Sequence, residues 1–453
     1  MKAVKICAGF FAIQVLLASC SNAEERTVTL DRPDMRARPA PLVVGIGVHF
    51  GIDGQPTFNY VADKAIRAMD ELGVDSYRDD LVWGLFDPDG DGKGNAQPAR
   101  LFDFMRKARQ TPLLVMGYAN PSVPDSNPPL TDKSRERFAS FIAEAVRATS
   151  SFKPIYEIWN EWNVNAKPGV LEPLRKVGTP DEPRAAVNYA ALARAALPAA
   201  RRAGPDATVL AGGVGEDMQW DWTKAIVDDG ATRDASALSV HLYNHCNPGP
   251  NTNRTATELV DRLDVLQTML GGKSKPVPLF ITELGWPTTE IKGCDISRQT
   301  AADNIAQFLL WSAATPWVKG VWLYQLKDQG TQKDQLEENF GLYDYDYKPK
   351  PAACAAREAV QLIKTSAGFT LSRPFPHVYV MRAETGDGPR LIAWTTATAA
   401  KAHVIVKGAT VRHARRLCGE DLKTEGGGLD VGSTPVVLSL DDALKLTLDV
   451  SQQ

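Results

Sequence analysis

From Leu42 onward the chain alternates two rhythms. Short apolar runs rich in Val, Ile, Leu and aromatic residues give way to longer stretches whose apolar positions recur at helical spacing. That alternation is the pattern of repeated strand–helix units. Eight strands read in order as "LVVGIGVHF", "VDSYRDDLVW", "PLLVMGY", "PIYEIWNE", "TVLAGGVG", "ALSVHLY", "PLFITELGW" and "GVWLYQL". Helical stretches such as "YVADKAIRAMDEL", "SRERFASFIAEAVRAT", "AAVNYAALARAALPAARRA", "TATELVDRLDVLQTML" and "SRQTAADNIAQFLLWSA" fall between them. No Gly-rich dinucleotide fingerprint follows the first strand, so the pattern predicts a (β/α)8 TIM barrel over residues 42–364. Past "PAACAAREAVQLIK" the period shortens to two, in "HVYVMRAE", "RLIAWTT", "AHVIVKG", "PVVLSL" and "LKLTLDV". Residues 365–453 therefore read as a small β-sandwich-like domain.

The N-terminus follows neither rhythm. Lys2 and Lys5 precede the apolar run "ICAGFFAIQVLLA", which is too short to span a membrane as a mature helix. The run ends in "LASC", which resembles a bacterial lipobox. That resemblance implies a lipoprotein signal peptide over residues 1–19, cleavage before Cys20 and lipidation of its thiol; an ordinary secretory signal cut nearby is the alternative. Either way the mature protein is exported, and the expected location is the bacterial cell envelope, lipid-anchored at the outer membrane or facing the periplasm. Residues 20–41 are polar and Pro-rich, as expected of a tether.

Composition narrows the class without naming it. Hydrophobic residues at 44% and charged residues at 23% are those of a globular protein, and a net charge of −3 offers no basic footprint for nucleic acid. In an oxidising compartment the remaining Cys246, Cys294, Cys354 and Cys418 are an even set of disulfide candidates with three connectivities. Cys246 and Cys294 fall in loops at the same end of the barrel, which favours joining them and leaves Cys354 with Cys418; buried free thiols are the alternative for the second pair. "DPDGDGKGN" has the spacing of half a calcium loop through Asp87, Asp89 and Asp91, but Pro98 stands where the bidentate Glu belongs. An Asp/Gly turn without metal is the expectation.

In a TIM barrel the side chains at the C-terminal ends of the strands form the active site. Those ends carry His49, Arg78, Asn160, Glu161, His241, Tyr243, Glu283 and Trp322. Trp83, Tyr118, Trp286 and Tyr324 are further candidates for subsite walls. Two of the strand-end residues are carboxylates, Glu161 on the fourth strand and Glu283 on the seventh. Glycoside hydrolysis needs one carboxylic acid at the leaving oxygen and one carboxylate for the anomeric carbon, and a separation of roughly 5 Å gives a covalent intermediate and retained configuration. No cofactor is required for that chemistry.

"WNE" after the fourth strand and "TELGW" at the seventh resemble the acid/base and nucleophile motifs of clan A glycoside hydrolases. The resemblance spans Leu42 to about Lys364. The run "ENFGLYDYDYKPKPA" and the C-terminal β-domain are most similar to family 39 and related bacterial polysaccharide hydrolases, with cellulase-like family 5 the near competitor. It implies Glu161 as acid/base, Glu283 as nucleophile and Asn160 on the sugar 2-hydroxyl. His241 and Tyr243 then stand beside the nucleophile, Arg78 holds it ionised, and Trp322 forms the platform under the sugar, with His49 a further contact. Arg78 and Tyr243 would depress the pKa of Glu283, and apolar Trp159 and Trp162 would raise that of Glu161. The expected partner is a polysaccharide or oligosaccharide. Two other readings remain: an exo-acting glycosidase such as a β-xylosidase, and a non-catalytic carbohydrate-binding envelope lipoprotein.

Overall fold

The computed structural model describes residues 24–34, 41–52, 58–94, 96–164, 185–215, 217–246, 254–272, 275–396 and 401–452. The expected signal peptide and Cys20 lie outside the described residues. Among the described residues the first strand is β1 (Glu25–Asp31), followed by β2 (Val43–Gly47), β3 (Ser76–Val82), β4 (Thr111–Gly117), β5 (Ile155–Ile158), β6 (Thr208–Val214), β7 (Ala237–Leu242), β8 (Leu279–Leu284) and β9 (Val318–Leu323). Strands β2 to β9 close in sequence order into a parallel barrel, as the alternation of periods predicts. Helices between them wrap the outside with apolar stripes inward; Ala62–Leu72, for example, buries Ala65, Ala68, Met69 and Leu72, at spacings of three and four.

The barrel interior is packed, and Trp322 is part of that packing. It is fully buried with Leu113, Val115, Leu210 and Phe280, and its Nε1 donates to Ser76 Oγ at 3.0 Å. Room for the indole comes from two glycines on neighbouring strands or its own: an added Cβ at Gly45 or Gly320 would overlap the ring. The expectation of a sugar platform at Trp322 is therefore corrected. The strand runs on to Leu323 before the mouth is reached, so Trp322 sits a layer too deep. Trp83 and Trp286, just past the ends of β3 and β8, are likewise buried and line no part of the cavity at the mouth; the first packs on Phe138 and Phe141, and the second donates to Asn244 Oδ1.

After the helix Pro351–Thr365 come β10 (Ser366–Phe375), β11 (Val378–Thr385), β12 (Gly388–Thr395), β13 (Ala402–Lys407), β14 (Val411–Arg416), β15 (Gly428–Val431), β16 (Val436–Leu440) and β17 (Lys445–Gln452). They form a five-stranded sheet, β10-β11-β12-β16-β14, and a four-stranded sheet, β1-β17-β13-β15. The second sheet corrects the reading of residues 20–41 as a tether throughout. Glu25–Asp31 pairs antiparallel along the whole of β17 and buries Leu30 in the sandwich core. Its fixing point is Arg382, fully buried, whose guanidinium donates to Leu30 O, Leu444 O and Ala443 O and pairs with Glu384.

Both expected disulfides form, Cys246–Cys294 and Cys354–Cys418. The first ties the loop after β7 to the loop after β8 at the barrel mouth; the second ties the last barrel helix to the sandwich. The "DPDGDG" segment folds as an Asp/Gly turn closed on itself: Asp87 Oδ2 accepts from Gly92 N and Trp83 Nε1, and Asp91 pairs with Lys93. No helix of the described residues is long and apolar enough to cross a membrane.

Candidate active site

Strand pleating sends alternate side chains to opposite faces, so Arg78 and Asp80 on β3 share the inward face. Arg78 lies at the centre of the site. Its Nη1 donates to Glu283 Oε1 at 2.6 Å, its Nε to Glu157 Oε2 at 3.0 Å and its Nη2 to Asn160 Oδ1 at 2.7 Å. Glu157 is wholly buried in β5 and also accepts from Thr282 Oγ1 at 2.7 Å. One cation thus joins β3, β5 and β8 through two carboxylates.

Glu161 lies just past the end of β5, with φ of +44° and its N–H donating to Gly213 O at 2.8 Å. A non-glycine residue in that region is held there by its surroundings. The surroundings are visible: Asn163 accepts from Gly215 N at 3.2 Å and donates to Gly215 O, and a Cβ at Gly215 would collide with the Glu161 carboxylate. Trp159 and Trp162 pack behind it, each ring against the other at 5.2 Å and against Phe138 and Tyr189.

His241 stands between the two mouth carboxylates. Its Nδ1 is 2.8 Å from Glu161 Oε1 and 3.5 Å from Glu283 Oε2. One carboxylate oxygen of Glu161, one of Glu283 and a ring nitrogen of His241 all lie within 4.8 Å of one another. Tyr243 Oη donates to Glu283 Oε2 at 2.7 Å. Burial alone would raise the pKa of Glu283, but His241, Arg78 and the Tyr243 hydroxyl outweigh it and hold the carboxyl below its usual range. Burial works to lower the pKa of His241, and Glu283 and Glu161 reverse it, so the imidazole is pushed above its usual value.

The same three groups have the spacing of a metal-ligand set. Arg78 already puts a positive charge and a hydrogen bond on Glu283, which disfavours a second cation there. A second cluster, Cys354, Glu358 and Cys418, has its sulfurs joined in a disulfide, and a metal takes thiolates.

Around these residues is a cavity of about 380 Å³ lined by His49, Arg78, Asp80, Tyr118, Asn160, Glu161, Tyr243 and Glu283, with His245, Tyr324, Glu337 and Phe340 among the others. The sequence-derived set of His49, Arg78, Asn160, Glu161, His241, Tyr243 and Glu283 is brought together, with Tyr118 and Tyr324 in the walls; Trp322 is not among them. Tyr324, two residues along the same face of the strand, reaches the cavity instead, its hydroxyl 3.2 Å from Glu337. His49 stacks on Phe58 and faces Gln325 at 2.8 Å; burial lowers its pKa, leaving it a neutral hydrogen-bonding ring. Sequence reasoning missed Asp80, His245, Glu337 and Phe340. For Asp80 the signal was present, since it follows Arg78 by two on a strand; His245 and Phe340 sit in loops and Glu337 in a three-residue 3-10 helix, without a period to place them.

Residues 120–317 match the family model Cellulase (glycosyl hydrolase family 5). No curated protein matches the chain. Among solved structures, a family 39 glycoside hydrolase from Bacteroides cellulosilyticus WH2 is similar over 90% of this chain and 82% of its own, at 23% identity and a TM-score of 0.68. A monomeric beta-xylosidase from Caulobacter crescentus CB15 covers 92% of this chain and 98% of its own at 15% identity and a TM-score of 0.54. GH5_18 from Streptomyces cattleya, solved with GlcNAc, covers 73% and 82% at 18% identity and a TM-score of 0.52. The fold is thus the TIM barrel of these glycoside hydrolase structures, and within it residues 120–317 carry the likeness to the family 5 model.

Proposed function

We propose that the protein hydrolyses glycosidic bonds of a polysaccharide, for example an exopolysaccharide of its own cell envelope, by double displacement with Glu283 as nucleophile and Glu161 as acid/base. The observation that carries this reading is the approach of the two carboxylates to within 4.8 Å. Inverting enzymes leave roughly 6.5–9.5 Å for a water between the carboxyl groups, whereas retaining ones stand at about 5 Å. Glu283, kept ionised by Arg78, His241 and Tyr243, attacks the anomeric carbon while Glu161 protonates the departing oxygen. Water then enters and gives its proton to Glu161 as its oxygen bonds to the anomeric carbon; the bond to Glu283 breaks, restoring the carboxylate and freeing the sugar with its original configuration. Asn160, oriented by Arg78, is in place to meet the 2-hydroxyl.

Glu283→Gln is expected to lower turnover by about a thousandfold or more with the fold intact. Glu161→Gln is expected to spare the first step on substrates with activated leaving groups and to stall the second. A 2-deoxy-2-fluoro sugar with a good leaving group should label the peptide "ITELGW"; label elsewhere, or full activity in Glu283→Gln, rules the assignment out. The exo-acting alternative is separated from internal cleavage by product sizing on a polysaccharide panel. The non-catalytic alternative is excluded by the same label appearing at all. We further propose that the enzyme is held at the envelope by lipid on Cys20: metabolic labelling with radioactive palmitate should be lost in Cys20→Ser, and an unlabelled wild type would end that proposal.

A further inference from the structure

The double displacement uses Glu161 and Glu283; the cavity holds a third deep carboxylate that it does not use. Asp80 follows Arg78 by two on β3, so its side chain is directed inward beside the catalytic pair. One oxygen, Oδ1, is fixed by the Tyr118 hydroxyl at 2.9 Å. Among the described residues nothing donates to Oδ2, nor is it one of the buried polar atoms lacking a partner, so it opens onto the cavity. A side chain with one oxygen clamped and the other open is a preorganised acceptor, and what it lacks is a donor from outside the protein.

The surrounding charges decide which donor fits. Glu283 is ionised, and Glu337 adds another carboxyl to the lining. The cation lining the cavity among the described residues is Arg78, and its donors are engaged by Glu157, Glu283 and Asn160. A sugar carboxylate placed here would meet like charges without a free guanidinium to pair with; a sugar hydroxyl would find the open oxygen of Asp80, whose pKa burial raises against the opposing pull of Arg78, His49 and the Tyr118 hydroxyl. We propose that Asp80 is a specificity-determining residue: its open oxygen receives hydroxyl donors of an uncharged sugar in the catalytic cavity, and its charge turns uronic acids away. This rests on the reading of Glu283 as nucleophile.

The test measures labelling of full-length enzyme by 2,4-dinitrophenyl 2-deoxy-2-fluoro-β-glycosides of glucose, galactose, xylose and glucuronic acid, followed by mass spectrometry of the labelled peptide. Wild type should be labelled by at least one neutral sugar much faster than by the glucuronide. Asp80→Asn, isosteric and uncharged, should be labelled about 10- to 100-fold more slowly by that neutral sugar, as expected for loss of a charged acceptor. Its neutral-to-glucuronide ratio should fall by about tenfold or more, because a like charge has gone. A merely structural role would slow both sugars alike and leave the ratio unchanged. Tyr118→Phe, which keeps the carboxylate, should retain the ratio and serves as a second variant should Asp80→Asn fold poorly. The inference is overturned by wild type that takes the glucuronide as readily as the neutral sugars, by a panel in which no neutral sugar labels, or by an unchanged ratio in Asp80→Asn. Label that appears away from Glu283, or persists in Glu283→Gln, instead overturns the reading beneath it.

Discussion

Tyr243 shows how one hydroxyl contributes to the ionisation of Glu283, the proposed nucleophile. Glu283 is buried, and burial alone would push its carboxyl toward the neutral acid. His241, Arg78 and the 2.7 Å hydrogen bond from Tyr243 reverse that. Tyr243→Phe removes one of the opposing contributions while leaving the ring, so the Glu283 pKa rises and the acid limb of kcat/KM moves to higher pH. A fall of about 10- to 100-fold in kcat/KM at neutral pH is expected for loss of a hydrogen bond to a charged group; an acid limb that does not move would mean that Tyr243 has no part in ionising Glu283. The sign carries over to stability. A carboxyl whose folded pKa lies below its unfolded value near 4.5 contributes stability above that value, and the contribution is lost as pH falls through the folded pKa. His241 works in the opposite sense: its raised pKa contributes stability below the unfolded value near 6.5, lost as pH rises through the folded one.

At the scale of elements, legibility tracks how many residues repeat a period. The barrel strands and long helices were readable because each shows several turns of its pattern, and because eight rounds in succession leave little choice of fold. Glu161 and Glu283 were readable because a strand end is a defined place in such a barrel. Strand β1 was not: "ERTVTLD" has two apolar alternations, is flanked by polar and Pro-rich sequence, and pairs with the last strand of the chain, over four hundred residues away. Strands β14 and β15 were missed for a similar reason, since "VRHARR" keeps only Ala414 fully inward and "GLDV" is four residues long. Trp322 and Tyr324 show a subtler failure. They lie two apart on one face of the chain, so the period cannot say which is at the mouth; that depends on where β9 ends, and strand ends are set by what the next loop pairs with. Here Leu326 N donates to Gly47 O and Tyr324 N to Leu284 O, which carries Tyr324 past the strand and into the cavity.

For the whole molecule the decisive element is the helix Arg298–Ala313, in which every residue from Ala301 to Ser312 is buried. A helix buried on all sides must be covered on all sides. One face packs on the barrel and on the helix Pro351–Thr365; the other is covered by the sandwich, where Gln307 Nε2 donates to Thr395 O and Ser433 O and Asp303 accepts from Ser433 and Thr434. The Cys354–Cys418 disulfide, closing 64 residues, adds a covalent link across the same junction, worth about 4 kcal/mol on the chain-entropy account. The cavity that holds Glu161 and Glu283 lies at the barrel mouth and, among the described residues, takes none from the sandwich, so the proposed activity gives no direct reason for the two parts to stay together; the shared helix does. Ending the chain at Thr365 would expose that helix and strip partners from two buried polar side chains, at about 1–3 kcal/mol for each unsatisfied group. The truncated barrel is therefore expected to aggregate on expression, although every lining residue of the cavity is present. The intact chain should melt in a single calorimetric transition, shifted down by reducing agent but still single, because the noncovalent junction survives loss of the disulfide. Two resolved transitions, or a soluble and active barrel ending at Thr365, would show that the sandwich is an appendage and that the helix tolerates solvent on its outer face.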